Sequence, residues 1–264
     1  MPARPGRAAR RTRPSGATLG EHGDLDLPEE PLRGEVRVGA GPVDVGMHYE
    51  PSCNLACPTC RSGPYVVTGP EATRLEHLHR VVTEQVLTHP RAISLTGVGD
   101  PFASGFLRSF LEDFDRRRYP TIERVHLHTN AILWTPAMWA RLTGLHEVEV
   151  TTDISIDAAR PDTYARVRRP ATWDRLRENL DFIGTLPNVS SIGVSMVVSQ
   201  ANLDELVEFH DLGVTLAAQS PRFTFVEYKR VRRRWDHDEA TWRAMGLEHL
   251  QPAQTAVLSP RLAA

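Results

Sequence analysis

From residue 43 onward, the sequence alternates between short runs of apolar, strand-forming residues and longer stretches with helical periodicity. Strands that alternate with helices in this way are typical of repeated βα units, whose strands lie parallel in one sheet. The sequence therefore predicts an α/β fold with six strands. They are predicted at residues 43–49, 92–96, 124–129, 148–156, 191–198 and 223–228.

The connections between these strands carry apolar residues three and four positions apart, which is the spacing of amphipathic helices. The helix before the last strand is predicted over residues 203–212, with Asn202 as its N-cap. Gly213 then stands where a helix end favours a left-handed residue. At 264 residues, of which 41 % are hydrophobic and 24 % charged, the chain is long enough for one α/β barrel or for two small domains.

The two ends of the chain are predicted to lie outside the barrel. Residues 1–36 are first basic and then acidic, without an apolar periodicity that would offset the entropy of ordering. They are predicted to be a disordered tail, with a docking arm for a partner protein or nucleic acid as the alternative. The barrel itself is expected at residues 37–250, and a C-terminal extension at residues 251–264.

The composition favours a cytoplasmic protein. No segment approaches the roughly 18 uninterrupted apolar residues that a membrane helix needs, and residues 1–36 lack the apolar core of a secretory signal. The net charge of −2 gives no global attraction to nucleic acid or to an anionic membrane. We therefore expect neither a membrane nor a nucleic acid as partner.

All three cysteines of the chain, Cys53, Cys57 and Cys60, fall in the stretch CNLACPTC. An odd number of cysteines in a long chain disfavours a disulfide framework. Three thiolates at C-x3-C-x2-C spacing can hold three corners of a [4Fe–4S] cluster, whereas electron-carrying clusters normally use four cysteines. The spacing therefore predicts a cluster with one iron that has no protein ligand. A ligand that the protein does not supply can bind and react at this iron.

Two other readings of the cysteines stay open at this point. A structural zinc site would combine the three thiolates with His48, His77 or His79, since three cysteines and one histidine are an ordinary zinc set. Such a zinc site would fit a nucleic-acid-binding module that uses the arginine clusters. A low-pKa thiol would instead suit redox sensing.

The stretch CNLACPTC resembles the cluster motif of radical S-adenosylmethionine (radical SAM) enzymes. The resemblance implies an open partial (β/α)6 TIM-like barrel, and a [4Fe–4S] cluster and SAM as cofactors. In that family the amino and carboxylate groups of SAM chelate the open iron. One electron then cleaves SAM to methionine and a 5′-deoxyadenosyl radical, which takes a hydrogen atom from the substrate. The chain would be an enzyme of this kind, with an electron donor such as flavodoxin or ferredoxin.

The resemblance extends to segments that follow the predicted strands. Thr-Gly-Val-Gly-Asp-Pro at residues 96–101 resembles the family's GGE-type motif, which holds the SAM ammonium, and residues 155–168 resemble its SIDG-type segment. The first of these is also a good turn sequence. Either Arg166 or Arg168 would steady the SAM carboxylate, and the sequence does not choose between them. The implied cofactor-binding residues are Gly97, Val98, Gly99, Asp100, Pro101, Thr129, Asn130, Ser155, Asp157, Arg166, Arg168, Ser195 and Val197.

In motif style, the chain is closest to the SPASM/twitch-type branch, which modifies peptides. It lacks the auxiliary-cluster cysteines of that branch, and no thiol outside the motif is available as a hydrogen donor. If the substrate radical is quenched by hydrogen, the candidate donors are a tyrosine such as Tyr49, Tyr65 or Tyr228, solvent acting through another group, or regenerated SAM. The substrate is expected to be a peptide or another natural product. Modification of a carbohydrate, a nucleoside or another phosphorylated substrate is the alternative.

A basic segment follows the sixth predicted strand directly. Guanidinium groups match the geometry of carboxylates and phosphates, so an anionic part of the substrate is expected here. The alternative is the solvated, charged start of a helix. The candidate substrate-binding residues are Arg230, Arg232, Arg233 and Arg234.

Overall fold

The computed structural model describes residues 41–234 and 237–249. Six parallel strands form one sheet, in which each strand pairs with the next along the chain. The tail predicted at residues 1–36 and the extension predicted at 251–264 lie outside the described residues. The strands are β1 (Asp44–Met47), β2 (Ala92–Leu95), β3 (Arg124–Thr129), β4 (Glu149–Ser155), β5 (Val189–Val198) and β6 (Phe223–Arg230).

Helices occupy the connections between the strands. Within the described ranges, none of them is long and apolar enough to cross a membrane. Shorter helical turns lie at Thr143–Glu147, Leu203–Glu205 and Leu247–His249, and a π-helical turn at Val82–Val86 follows the first helix. The helices are α1 (Gly69–Val81), α2 (Gly105–Glu112), α3 (Pro136–Trp139), α4 (Pro161–Val167), α5 (Trp173–Ile183), α6 (Leu206–Gln219) and α7 (Glu239–Met245).

Local sequence explains where several of these helices begin. Ser104, Thr135, Thr172 and Asp238 precede α2, α3, α5 and α7. Each side chain accepts a hydrogen bond from the backbone N–H three residues later. Such a bond satisfies one of the N–H groups that a first turn leaves without a partner.

The predicted fold class is confirmed: this is an α/β fold with the all-parallel sheet of a partial (β/α)6 barrel. All six predicted strands are present, and their ends differ from the prediction by no more than two residues. In the described part of the chain, the strand order runs from β1 to β6 without a pairing between these two, so the barrel is open.

The two faces of the sheet differ in polarity. In β3, Val125 and Leu127 are fully buried and belong to the apolar core. The alternate residues, His126 and His128, face the barrel lumen, where they bond to hydroxyl groups of β4. Since successive side chains of a strand point to opposite faces, the outer face builds the core and the inner face carries polar groups.

The prediction for the helix before β6 is wrong at its C-terminal end. Helix α6 continues through Gly213 to Gln219. A Cβ atom at position 213 would lie 2.2 Å from Cγ2 of Val226 in β6, so the glycine is needed for close packing of α6 on β6. Tertiary packing, and not termination of the helix, explains this glycine.

Asn202 precedes this helical region, but its side chain does not cap it. The amide oxygen accepts from the N–H of Ser199 at 2.8 Å. The amide nitrogen donates to the carbonyls of Asp157 and Val197 at 2.8 and 3.0 Å. The side chain therefore joins the loop after β4 to the end of β5. Asn202 stands at the predicted N-cap position, before the helical turn Leu203–Glu205, but its side chain does not cap that turn.

We expect Gly213→Ala to lower the free energy of unfolding by about 1–3 kcal/mol, because overpacking against Val226 outweighs the gain in helix propensity. Denaturant unfolding of the purified variant measures this change. Gly105→Ala is the matched control, since a Cβ atom there meets nothing within 4 Å. In a Val226→Ala background the penalty should disappear, and a penalty that persists there would contradict the packing explanation.

Candidate active site

A cavity of about 680 Å³ opens at the carboxyl ends of the strands. In barrels of this kind, the loops that follow the strands meet at this end and form the active site. Residues that follow or end all six strands contribute to the lining. They include Cys53, Cys57 and Cys60 after β1, Gly97, Val98 and Gly99 after β2, His128 and Thr129 of β3 and Asn130 after it, Ser155 of β4 and Asp157 after it, Val197 of β5, and Glu227, Lys229 and Arg230 of β6 and Arg232 and Arg234 after it.

The three cysteines line this one cavity, and all three are free. Backbone hydrogen bonds fix their loop. Cys53 and Tyr65 exchange bonds of 2.8 and 2.9 Å, and the N–H groups of Cys60 and Arg61 donate to the carbonyl of Cys57, each at 2.8 Å. The loop thus holds its sulfur atoms toward the cavity without any disulfide.

Each cysteine sulfur lies near at least one side-chain N–H donor. Such donors stabilise negative charge on sulfur, whether on a free thiolate or in a metal cluster. The donors are Asn130 Nδ2 to Cys53 Sγ at 3.8 Å, Arg168 Nη1 to Cys57 Sγ at 3.6 Å, and Arg61 Nη2 and Arg234 Nη1 to Cys60 Sγ at 3.6 and 3.8 Å.

Burial dominates the acidity of two of the thiols. It raises the pKa of Cys53 to about 11 and also raises the pKa of Cys57 above its usual range. In the metal-free chain, both groups are therefore thiols at neutral pH. A cysteine that acts as a redox sensor needs a lowered pKa, so this reading is disfavoured for both residues.

The zinc reading also loses support, because none of the three candidate histidines lines the cavity. In the described ranges, no three His, Cys, Asp or Glu side chains are grouped closely enough to bind one metal ion together, whereas the thiolates of a [4Fe–4S] cluster each bind a different iron. The imidazoles have other partners: His48 Nε2 lies 3.1 Å from Ser94 Oγ, His77 Nδ1 lies 3.0 Å from Arg80 Nη2, and His79 Nδ1 lies 2.6 Å from the Tyr49 hydroxyl.

Asp100 is buried, and neither it nor Pro101 lines the cavity. Its carboxylate accepts hydrogen bonds from the Thr129 hydroxyl at 2.7 Å, the Asn130 N–H at 2.9 Å and the Phe102 N–H at 3.0 Å. The side chain thus ties the loop after β2 to the end of β3. These contacts indicate that Asp100 positions Asn130. The sequence instead suggests that Asp100 contacts the cofactor directly.

The two glycines of the loop after β2 differ in their surroundings. A Cβ atom at Gly99 would lie 2.5 Å from the carbonyl oxygen of Ser52 and 2.6 Å from that of Glu50. Gly99 therefore allows this loop to pack against the cysteine loop. At Gly97 the nearest such atom lies 4.0 Å away, on His48. The backbone of Gly97 is thus open to the cavity and can approach a ligand closely.

Three residues with a left-handed backbone follow three consecutive strands. They are Thr96 after β2, Ala131 after β3 and Asp157 after β4, with φ angles of 58°, 61° and 62°. Residues other than glycine rarely adopt this conformation, and those that do are concentrated at functional sites. At Asp157 the strain is offset, since its carboxylate accepts from the Val197 N–H at 2.6 Å and pairs with Arg168 at 2.7 Å.

The structure distinguishes between the two candidate arginines. Arg168 is buried, lines the cavity, and contacts both Asp157 and Cys57. Burial lowers the pKa of Arg168, but the charge of Asp157 and the hydrogen bond to its carboxylate raise it and contribute to a pKa that is raised overall. Arg166 donates instead to the Thr163 hydroxyl at 2.8 Å and does not line the cavity.

The two predicted serines are neighbours across β4 and β5. Ser155 lines the cavity, with its hydroxyl oxygen 3.1 Å from His128 Nε2. Ser195 does not line it, and its buried hydroxyl has no hydrogen-bond partner within the described residues.

Four charged or titratable side chains in the barrel lumen were not predicted as site residues. We refer to His128, Asp153, Glu227 and Lys229 as the lumen group. Lys229 Nζ lies 2.5 Å from Asp153 Oδ2 and 2.9 Å from Glu227 Oε2, and His128 Nε2 lies 4.0 Å from Asp153 Oδ2. The sequence does contain a signal for these residues: polar and apolar residues alternate in the strands RVHLHT, EVTTDIS and FTFVEYKR. Buried parallel strands are usually apolar throughout, so this alternation indicates a polar inner face.

No protein-family profile matches the chain, and no curated protein sequence matches it. Solved structures do share its fold. The structure of Streptococcus suis SuiB bound to S-adenosylmethionine has 12 % sequence identity and a TM-score of 0.53, over 85 % of this chain and 48 % of SuiB. The structure of anSMEcpe with bound AdoMet has 17 % identity and a TM-score of 0.54, over 84 % of this chain and 59 % of anSMEcpe.

The chain thus spans about half the length of SuiB and somewhat more of anSMEcpe. Both proteins were solved with S-adenosylmethionine (AdoMet) bound. At this level of identity the similarity concerns the fold alone. The chain therefore shares the partial barrel fold of these two proteins.

We expect Asp100→Ala to lower the free energy of unfolding by about 2–4 kcal/mol, because it leaves the donors of Thr129, Asn130 and Phe102 without an acceptor. Denaturant unfolding measures the change. Asp181→Ala on the exposed face of α5 is the control and should stay within about 0.5 kcal/mol of the parent chain. Equal stability of the two variants would contradict the anchoring role of Asp100.

Proposed function

We propose that this chain is a radical SAM enzyme. Cys53, Cys57 and Cys60 would hold a [4Fe–4S] cluster with one open iron, and SAM would bind beside it. The observation that carries the proposal is the convergence of three free cysteines, each with an N–H donor, on one cavity at the carboxyl ends of the strands. When bound, the cluster and SAM supply a 5′-deoxyadenosyl radical that takes a hydrogen atom from the substrate.

The donor set fits this cluster. The chain has three cysteines in all, so three thiolates are available and a fourth thiolate is not. A cluster held in this way keeps one iron for a ligand that the protein does not supply. The N–H donors beside the sulfur atoms offset the negative charge that thiolates bring into a buried site.

We assign SAM to the part of the cavity beside the cysteine loop. The guanidinium of Arg168, held by Asp157, would bind the carboxylate of SAM, and Arg168 is therefore preferred to Arg166. The open backbone of Gly97 and the amide of Asn130 would contact its amino group. The hydroxyl of Ser155 would face the ribose.

The remaining assignments follow from the cavity lining. Val98, Gly99, Thr129 and Val197 contribute to the wall that SAM would contact. Asp100 would act indirectly, through Thr129 and Asn130. Pro101, Arg166 and Ser195 do not line the cavity and are left out of the proposed cofactor contacts.

The three tyrosines considered as hydrogen donors are engaged elsewhere. The Tyr49 hydroxyl bonds to His79, the Tyr65 hydroxyl donates to Glu71, and the Tyr228 hydroxyl donates to the carbonyl of Leu206 at 2.6 Å. Of the three, Tyr228 lines the cavity. We therefore assign none of them the role of hydrogen donor to a substrate radical.

A peptide is our proposed substrate. SuiB has been solved with its precursor peptide SuiA, and anSMEcpe with the Cp18Cys peptide, and each shares this fold. An anionic part of the substrate would bind to Arg230, Arg232 and Arg234, which line the cavity mouth. A carbohydrate or a phosphorylated nucleoside is the second candidate, and binding of phosphate at this mouth would favour it. A reduced flavodoxin or ferredoxin in the cytoplasm would supply the electron.

We expect the anaerobically reconstituted chain to contain about four irons and four sulfides per molecule. Replacing any one of the three cysteines by alanine should abolish reductive cleavage of SAM, because each thiolate holds one iron. Iron, sulfide and zinc analyses, together with the detection of 5′-deoxyadenosine, check this expectation. His77→Ala is the control: it should keep both cluster and cleavage, and stoichiometric zinc without sulfide would overturn the proposed function.

We expect the double variant Arg230→Gln/Arg232→Gln to bind an acidic probe peptide, triglutamate, about tenfold more weakly than the parent chain. Its binding should also depend less on salt, because screened charge attraction has been removed. Fluorescence titration at two salt concentrations measures both effects. Cleavage of SAM without substrate should continue unchanged.

The matched control removes the same number of charges outside the cavity. Arg233 and Arg243 both pair with Glu239, and neither lines the cavity. Arg233→Gln/Arg243→Gln should therefore bind the probe as the parent does. Equal weakening in the two double variants would mean that net charge alone, and no anion site at the mouth, explains binding.

A further inference from the structure

The lumen group lies at the same cavity as the proposed cofactor site. Two of its members, His128 and Asp153, pair in register on β3 and β4 before the strand ends that carry Thr129 and Ser155. His128, Glu227 and Lys229 line the cavity, and Asp153 lies buried behind them. Lys229 is the only lysine in the whole sequence. Its ammonium is held between the carboxylates of Asp153 and Glu227. None of the roles assigned to the proposed cofactor site uses these four residues.

One oxygen of the buried pair lacks a partner. Asp153 has a side chain that is 2 % exposed, and its Oδ2 atom meets Lys229. Its other oxygen, Oδ1, has no hydrogen-bond partner among the described residues. Buried carboxylates normally have their acceptor capacity satisfied. The negative charge of Asp153 is therefore only partly compensated by its neighbours.

The charges of the lumen group sum to a net negative value. One ammonium faces two carboxylates, and burial lowers the pKa of His128, so that its imidazole is neutral at pH 7. The other groups that bond to the inner face beside it are hydroxyls, such as those of Ser155 and Thr151. At the rim, Arg168 is neutralised by Asp157.

The cavity mouth has the opposite sign. Arg61, Arg230, Arg232 and Arg234 line it, and Arg230 lies 3.5 Å from the carboxylate of Glu248. The cavity is therefore positive at its mouth and negative at its floor. A ligand that fills it experiences the two charges at different positions.

We propose that the lumen group is a subsite for a neutral or cationic hydrogen-bonding side chain of a peptide, whose neighbouring carboxylate binds at the arginine mouth. Lys229 offers an N–H donor and Glu227 a carboxylate acceptor, which together match an amide. Glu227 and the uncompensated charge of Asp153 also accept an ammonium. A carboxylate or phosphate at the floor would meet the net negative charge. This inference rests on the proposed function, since it names the substrate part that reaches the proposed radical site.

The single lysine makes this subsite directly observable. In the full chain, loaded with cluster and SAM, lysine labelled with carbon-13 at the ε position gives one NMR resonance, that of Lys229. Four acetylated, amidated tripeptides of sequence Glu-X-Gly serve as probes, with glutamine, lysine, leucine or glutamate as X. We expect saturable shifts with glutamine and lysine, at dissociation constants at least about tenfold lower than with glutamate. Leucine should cause no saturable shift.

Asp153→Asn removes the buried charge and keeps the shape of the side chain. We expect it to reduce the preference for lysine over glutamate at X by about tenfold. Asp181→Asn, on the exposed surface of α5, is the control and should keep the preference. If Asp153→Asn does not fold, Glu227→Gln provides the same test at a more exposed position of the group.

Two results would overturn the subsite. One is equal or tighter binding of the glutamate peptide, and the other is the absence of a saturable shift with all four peptides. Iron, sulfide and 5′-deoxyadenosine are measured on the same labelled sample. If these are present and the side-chain preference is absent, the subsite alone fails. If they are absent, the proposed function fails and the subsite fails with it.

Discussion

The buried residue Asp100 holds together three loops that form the candidate active site, through its backbone N–H and its carboxylate. Its own N–H donates to the carbonyl of Ser52 in the cysteine loop at 2.8 Å, and its side chain accepts from Thr129 and Asn130 at the end of β3. Asn130 in turn lies 3.8 Å from the sulfur of Cys53. Loops lack the regular hydrogen-bond ladder of strands, so their buried polar groups need side-chain partners of this kind. The position of the Cys53 sulfur thus depends on Asp100, although the side chain of Asp100 does not line the cavity.

The polar lumen limits how the sheet can be stabilised. Most parallel sheets are apolar on both faces, whereas here His126 and Thr151 bond to each other inside the barrel at 3.0 Å. A satisfied pair of this kind contributes little net free energy but would be costly to leave unpaired. Stability must therefore come from the outer face, where residues such as Leu127 and Ile154 are fully buried. This division leaves the inner face free to carry functional groups.

The sequence predicts the fold and the rim of the site because both depend on patterns that are local in the chain. Alternation of strands and helices gives the strand order, and parallel direction brings the residues after each strand to one end. Contacts between distant segments are not local. The role of Gly213 depends on Val226, and the choice between Arg166 and Arg168 depends on which side of α4 faces the cysteine loop. The direction of the Asp100 carboxylate is likewise set by its bonds to Thr129 and Asn130 at the end of β3. The turn sequence around Asp100 does not encode these bonds.

His128 connects the rim of the cavity with its floor. Its Nε2 atom lies 3.1 Å from the Ser155 hydroxyl oxygen and 4.0 Å from the carboxylate of Asp153. A neutral imidazole carries its proton on one nitrogen, and a nearby negative charge favours the tautomer with that proton on Nε2. In that tautomer His128 donates to Ser155, and the Ser155 hydroxyl keeps its own proton for a ligand in the cavity. Whether Ser155 acts as donor or acceptor therefore depends on the tautomer of His128, which lies between Ser155 and Asp153.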